Sequence, residues 1–440
     1  MTRILITTIN YAPEATGIAP YATGLAEHLV AQGYRVTTLT GLPHYPAWRV
    51  SEGYRGRLAF TEHRAGVDVR RRWHYVPRTQ SALRRGLYEA TFLASGLSAL
   101  ALPQPDAVLG IVPALSDGVL ARVAAARFRV PYGLLFQDLV GQSAGQSGIT
   151  GGAAVSGVTR LAEGWAARGA AAVGVVAEGF RPYLEGVGVE PGRIRRVRNW
   201  THTGAATIDR DAMRAWLDLP SDAVVCLHAG NMGHKQGLEN LVECARLAAA
   251  SAPAMLFVLA GDGSQRAAIE ALAGRYELTN VRFLPLQSDQ IFPSVLACAD
   301  ILLVNQRGTV SDMALPSKLT SYFAAGRPVV AAVARSSETW RELTWSGGGL
   351  AVLPDDPPAL LDALLRVAAD PGLAAHLAAS ARRWSDEMLS PDAALRSYEQ
   401  LIAAVLASGR HGRVHSRGRS RTRVQPITNS DEAARDRWAA

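Results

Sequence analysis

Lysine is almost missing from this chain. Of 46 basic residues only Lys235 and Lys318 are lysine, and the other 44 are arginine. A composition so biased reserves lysine for places where a compact ammonium, rather than a planar fork, is wanted. The bland alternative is two survivors on a solvated face, where surface lysine is ordinary. Cysteine is scarce as well. Cys226, Cys244 and Cys298 are odd in number and have no ligand-like spacing, which argues against a disulfide framework and reads as small apolar residues in a reducing compartment. Charged residues make up only 19% against 48% hydrophobic, which excludes a disordered chain. No apolar run approaches the roughly 18 residues that span a bilayer. The N-terminal apolar run stops at Asn10, short of a secretory core, so a cytoplasmic protein is expected.

What is present is length and uneven charge. At 440 residues the chain exceeds what one core usually organises, so two domains are expected. Residues 1–199 hold 22 basic and 13 acidic residues, residues 200–408 hold 16 and 22, and residues 409–440 hold 8 and 3. The first half and the tail are therefore basic, a field suited to an anionic partner such as a phosphorylated substrate, a lipid surface or nucleic acid.

Residues 224–241, VVCLHAGNMGHKQGLENL, organise the rest. An apolar run breaks at Gly230, passes Gly233 and opens into helical spacing after Lys235, which predicts a strand, a glycine loop and a helix start. Glycine lets backbone approach a ligand, and the first amides of a helix point outward at the positive end of its dipole. A phosphate suits such a place. Residues 311–330, SDMALPSKLTSYFAAGRPVV, repeat the arrangement with Lys318 beside Pro316 and Ser317. Two strand-to-helix junctions each presenting a lysine can clamp one diphosphate, and the pair is better evidence than either glycine loop alone.

The first half also reads as strand alternating with helix. Residues 4–9 predict a strand, a loop holding Thr16 and Gly17 follows, residues 22–30 predict a helix and residues 34–39 a second strand, the start of a doubly wound sheet. Ligands of such sheets sit at the carboxyl ends of strands, here the Gly17 loop and the loop GLPHYPAW, which holds His44. His44 is either a ligand contact or a surface turn residue. Residues 66–74 predict a strand ending in Arg70, Arg71, Arg72 and Trp73. Residues 81–102 predict a helix with Leu83, Leu87, Ala90 and Leu93 on one side and Arg84 and Arg85 near its start. It reads equally as an interfacial membrane helix and as a core helix with a solvated first turn. Strands are also predicted at 105–112, 132–136 and 172–177. The second of these ends in Asp138, a candidate active-site acid or a turn former. The polar stretch 201–211 predicts a linker, and 409–440, rich in Arg and Ser, a disordered tail. In the second half a strand over 254–260 ends in Gly261, Asp262 and Gly263, and amphipathic helices run to 406, the last of which crosses back to the first domain.

These motifs in this order, TINYAPEATGIAPYATGLAEHL, FQDL, GNMGHKQGLENL and DMALPSKLTSYFAAGRPVVA, resemble glycosyltransferase family 4 over residues 1–406. More narrowly they are similar to the colanic-acid-type transferases of bacterial exopolysaccharide synthesis. The resemblance implies an α/β chain of the GT-B fold. Two doubly wound Rossmann-like domains, over 1–200 and 212–408, would face a central cleft. It implies a nucleotide-diphosphate sugar donor, UDP- or GDP-linked, in the second domain and an acceptor in the first. It further implies retention at the anomeric carbon, no cofactor and no required metal. By position, Gly17 would lie against the donor, Asp138 would face the reacting hydroxyl, and Lys235 would bind the diphosphate with the amides near Asn231 and Gly233. Ser317 and Lys318 would lie by the donor, as would Gly263, and Glu338 would reach donor or acceptor. The family often has Arg where Asn231 stands and two glutamates with seven residues between them where Met313 and Ser321 stand, so Asp312 is expected to replace the missing sugar contact. The expected acceptor is a polyprenyl-diphosphate-linked glycan, with a peripheral contact to the anionic inner face of the membrane and with His44 on the acceptor side. Rival readings are a nucleotide-sugar epimerase on the same fold and a nucleic-acid-binding protein. Against the second, arginine is spread without an aromatic stacking platform.

Overall fold

The computed structural model describes residues 1–79, 81–139, 152–308 and 317–415. The chain divides into two units, at Asn199 and again at Ala394.

The first unit is built on an eight-stranded sheet in the order β3-β4-β2-β1-β5-β6-β7-β8. The strands are β1 (Arg3–Thr7), β2 (Arg35–Gly41), β3 (Ala59–Arg64), β4 (Val67–Arg72), β5 (Ala107–Val112), β6 (Tyr132–Phe136), β7 (Ala172–Val175) and β8 (Ile194–Arg196). All neighbours are parallel except β3 and β4. β5 and β6 are buried along their whole length, as a parallel strand covered on both faces must be. The strand order reverses between β1 and β5, where a doubly wound sheet opens its crevice.

Two elements of this unit have no counterpart in the pattern reading. β3, AFTEHR, is a mostly polar edge strand without apolar alternation. The helix Leu115–Phe128 is so rich in Ala and Gly that its faces barely differ. The helix Ala82–Ser98 goes against one of the two open readings of its leucine side, that of a core face. It buries Tyr88, Phe92 and Gly96, whereas Leu83 (77% exposed), Leu87 (47%) and Leu97 (38%) point outward with Ala90. The leucine stripe is thus not the core side, because the aromatic rings bury more area and take that place.

The second unit is a six-stranded parallel sheet in the order β11-β10-β9-β12-β13-β14. Its strands are β9 (Val224–Ala229), β10 (Met255–Ala260), β11 (Val281–Leu284), β12 (Ile301–Asn305), β13 (Val329–Ala332) and β14 (Gly349–Val352). Leu227 pairs with Leu302 across β9 and β12, where this order reverses. Two buried clusters, one around Leu227, Val258 and Phe323 and one around Cys226, Phe257 and Leu364, cover its two faces. The three cysteines are buried free thiols.

The terminal helix Pro391–His415 returns to the first unit, as its amphipathic pattern suggested. Two strand glycines make room for it: a β-carbon on Gly133 would stand 2.5 Å from Val405 and one on Gly174 would stand 2.8 Å from Leu401. Gln137, Asn199 and Tyr398 lock it by mutual hydrogen bonds of 2.7 to 3.3 Å. Two boundaries shift accordingly. The second unit closes at Ala393 rather than 408, and the helix continues through His415, past the point where the tail was expected to begin. The expected linker 201–211 lies within the second unit, whose first helix starts at Arg210. Among the described residues no helix is long and apolar enough to cross a membrane.

Candidate functional site

In the second unit β9 leads straight into a loop welded to its neighbours. Gly230 N–H donates to Ala260 O at 2.8 Å and Met232 N–H to Asp262 O at 2.8 Å, so the loops after β9 and β10 run together. The contact tolerates no side chain. A β-carbon on Gly261 would stand 2.0 Å from Gly230 O, and one on Gly263 would stand 2.7 Å from Asn231 Oδ1. Gly261 also sits at φ +137, in the region that favours glycine. The loop that holds Asn231 and Gly233 thus packs on Gly263 of the β10 loop, and Asn231 is exposed.

Lys235 follows on a short 3-10 turn, His234–Gln236, and its side chain is exposed. The helix that follows runs Glu239–Ser251, so Lys235 precedes it, as the spacing after Lys235 predicts. The turn is held from β12. Asn305 Nδ2 donates to Gln236 O at 2.7 Å and Gly237 O at 2.8 Å, Arg307 N–H donates to Lys235 O at 3.1 Å, and Arg307 Nε donates to His234 O at 2.8 Å. Gly237 takes φ +58 to complete it.

Ser317 opens the helix Ser317–Ala324, and Lys318 is its second residue. The Lys318 side chain reaches β9: a β-carbon on Gly230 would lie 3.4 Å from its Cε and 3.7 Å from its Nζ. Lys318 Nζ stands 3.0 Å from Nε2 of His228, which is wholly buried in β9. Desolvation lowers the Lys318 amine to about 7. Burial first, and the neighbouring amine second, push His228 well below the usual imidazole range. Tyr322, one turn on, accepts from Ala229 N–H at 2.8 Å and donates to Ala229 O at 3.2 Å, pinning the helix to the strand end. Lys318, Asn231, Gly233 and Gly263 are thereby gathered at the carboxyl edge of the second sheet, with Lys235 on the turn that β12 braces.

His228 is the residue that pattern reading missed. Its signal was available, since an imidazole inside an otherwise apolar strand needs a partner. Glu338 is fully buried at the start of the helix Glu338–Ser346, with Oε2 2.5 Å from Arg341 Nη1, so its carboxylate is directed into the fold. Ser321, where the resemblance puts a glutamate, accepts from Thr203 Oγ1 at 2.8 Å. Asp312 lies outside the described residues.

The corresponding edge of the first unit is built from side chains. Glu14, buried in the loop after β1, accepts from Asn10 Nδ2 (2.9 Å), His44 N–H (2.7 Å) and Tyr45 N–H (2.8 Å). His44 is 2% exposed, which corrects its reading as a surface turn residue. Its Nδ1–H donates to Leu42 O at 3.0 Å and its Nε2 accepts from Tyr88 OH at 3.1 Å, so both ring nitrogens are engaged. Desolvation lowers its pKa despite the nearby Glu14. Gly17 takes φ +69 beneath the Tyr45 ring, where a β-carbon would stand 3.0 Å from Cε1. Arg71 is buried too. It donates to Glu62 Oε1 at 2.7 Å, to Gly41 O at 3.3 Å and to Ala12 O, and so belongs to the scaffold rather than to a basic surface. Asp138 lies just past β6, half-buried, its Oδ1 accepting from Leu139 N–H at 2.8 Å.

Residues 16–200 match the family described as glycosyl transferase 4-like domain, and residues 223–370 match glycosyl transferases group 1. The putative colanic acid biosynthesis glycosyl transferase WcaI of Escherichia coli is 33% identical over 379 residues, covering 82% of this chain and 90% of that protein. Among solved structures, sucrose-phosphate synthase of Thermosynechococcus elongatus has a TM-score of 0.67 at 20% identity, over 93% of this chain and 100% of that one. Anabaena HepE, in complex with UDP-glucose, has a TM-score of 0.64 at 15% identity, over 92% and 100%. At these identities the two structures bear on the fold alone.

Proposed function

Since the chain belongs to glycosyltransferase family 4 and is a glycosyltransferase of two Rossmann-like units, we propose that it moves a sugar from a nucleoside-diphosphate donor, UDP- or GDP-linked, to a growing cell-surface glycan with retention at the anomeric carbon. The observation that carries the reading is Lys318 Nζ lying against Gly230 at the strand-order reversal of the second sheet, the position where such sheets hold phosphates. As the glycosidic bond breaks, the leaving diphosphate gains negative charge. Lys318, Lys235 and the amides of the Asn231–Gly233 loop stabilise that charge more in the transition state than in the ground state. Asp138 and Gly17 serve the reacting hydroxyl and the sugar from the first unit. Glu338 acts through its ion pair with Arg341. The two ammonium groups do the work of charge neutralisation, so no metal and no cofactor are required, and transfer persists in EDTA.

The acceptor of this reading is a polyprenyl-diphosphate-linked glycan, held near His44 and its aromatic neighbours, at the inner face of the membrane. Support comes from the outward stripe of Leu83, Leu87 and Leu97 beside Arg84, and from a second stripe, Val158, Leu161 and Trp165 (69%, 71% and 40% exposed), on the helix Gly152–Arg168. Apolar side chains next to arginines suit an anionic bilayer surface. Co-sedimentation with phosphatidylglycerol vesicles, lost in Leu83→Ser/Leu87→Ser, tests this part.

The donor part is tested by thermal shift. A ligand at about 100 times its Kd stabilises the folded state by about 2.7 kcal/mol. UDP or GDP is expected to do so and Lys235→Ala to abolish it. If neither nucleotide raises the melting temperature, the donor reading fails. Sugar release or epimerisation without acceptor would replace transfer by another activity.

A further inference from the structure

His228 is a buried titratable group that the mechanism above does not use. His228 occupies the fifth position of β9, a strand otherwise apolar, at zero exposure. A polar ring there is costly unless something needs it. Its side-chain partner is Lys318 Nζ at 3.0 Å. When Lys318 carries its proton the ammonium can only donate, so Nε2 is then the acceptor and the neutral ring carries its hydrogen on Nδ1.

We propose that His228 is the positioning residue of the donor site: by accepting one hydrogen from Lys318 Nζ it holds that amine at Gly230, leaving its remaining hydrogens for the donor diphosphate. The inference rests on the donor reading above and adds to it the residue that aims the amine. The geometry makes the role specific. Lys318 approaches β9 from the second position of its helix, and Gly230, which has no side chain, leaves room for its Cε at 3.4 Å and Nζ at 3.7 Å from where a β-carbon would be. Without an acceptor inside the strand, a long flexible chain would turn its amine out to water.

The electrostatics follow from this placement. The charged groups on neighbouring segments are engaged elsewhere. Arg382 donates to Ala324 O and pairs with Asp386, Glu342 accepts from Trp384 Nε1, and Asp300, at the opposite end of β12, is held by Arg210 and Arg214. Tyr322, on the same helix, is occupied with Ala229. Lys318 therefore faces a neutral imidazole and no carboxylate among the described residues, and its amine, near 7, is mostly neutral at pH 8. A diphosphate placed beside it favours the ammonium, so nucleotide binding draws one proton from solvent onto Nζ.

Calorimetric titration of UDP and GDP into the full chain, in two buffers of different ionisation enthalpy, reads this directly. At pH 8, where an amine lowered to about 7 is mostly neutral, binding takes up a proton, and at pH 6, where the amine is already charged, that uptake is lost. In His228→Leu the amine is released to water and regains its ordinary pKa, so uptake at pH 8 vanishes and affinity falls about tenfold, the effect of losing one hydrogen bond to a charged group. His228→Gln keeps an acceptor near the Nε2 position and restores both, which a merely structural role would not do. Tight binding without proton uptake in the wild type overturns the inference while leaving the donor reading intact, a conclusion that needs no folded variant. His228→Leu with unchanged affinity and uptake also overturns it. No binding of either nucleotide overturns the donor reading and the inference with it.

Discussion

The two sheets open comparable crevices and line them by opposite means. At the end of β1 the edge is shaped by buried side chains, with Glu14, His44, Tyr88 and Arg71 tied to one another or to backbone. At the end of β9 it is shaped by backbone, with Gly261 against Gly230, Gly263 against Met232 and Asn231, and Lys318 beside Gly230. The difference reflects what each edge suits. A diphosphate is met by amides and ammonium groups at close range, which requires that β-carbons be absent. A neutral sugar hydroxyl needs a rigid, shaped wall, and buried hydrogen bonds supply rigidity.

The largest effect should come from attacking the backbone edge. Lys318→Ala is expected to cut kcat/KM for sugar transfer by 10²–10³-fold, about 2.7–4 kcal/mol, as for loss of one transition-state donor. Retention of near-normal transfer would put the anion site elsewhere. Next is Gly261→Ala, whose β-carbon meets backbone at 2.0 Å and cannot be accommodated by a rotamer change. It should destabilise the second unit by about 3 kcal/mol or more in urea titrations. The matching change on the other edge, Gly17→Ala, meets only the Tyr45 ring at 3.0 Å and a left-handed φ, so about 1 kcal/mol is expected. Equal costs for the two substitutions would erase the contrast. Between these falls Glu14→Ala, which strands two backbone N–H groups and should cost about 1–3 kcal/mol with the fold otherwise intact.

A last prediction concerns pH. An amine lowered to about 7 in the folded chain from 10.5 when unfolded binds fewer protons folded than unfolded between those values. Its contribution to stability therefore rises with pH across that window and is flat below 7. Urea midpoints at pH 7 and 9 should show the increase in the wild type and lose it in Lys318→Met. An unchanged slope in that variant would assign the increase to other groups.

Much of the glycine-lined edge at the end of β9 was legible in the sequence because its signals are local. A strand, a glycine loop and a rare lysine lie within a dozen residues of sequence, and each constrains backbone directly. The aromatic edge was not. His44 is separated from Tyr88 by 44 residues, and only the fold decides whether its ring is a surface contact or, as found, a buried acceptor of the tyrosine hydroxyl. The outward leucines of the helix Ala82–Ser98 teach the same lesson, since two of its faces are apolar and only packing chose between them.

By itself the sequence determined the two-unit α/β plan, the strand-to-helix junctions and the lysines worth attention, because periodicity, glycine and proline act over a few residues. Only the tertiary structure decided that Lys318 belongs to Gly230 and His228, 90 residues away on β9, and that the last helix closes over Gly133 and Gly174. It also decided that Arg71 braces loops instead of meeting an anion. Partnership and desolvation depend on what lies across the core, and no stretch of chain carries that information alone.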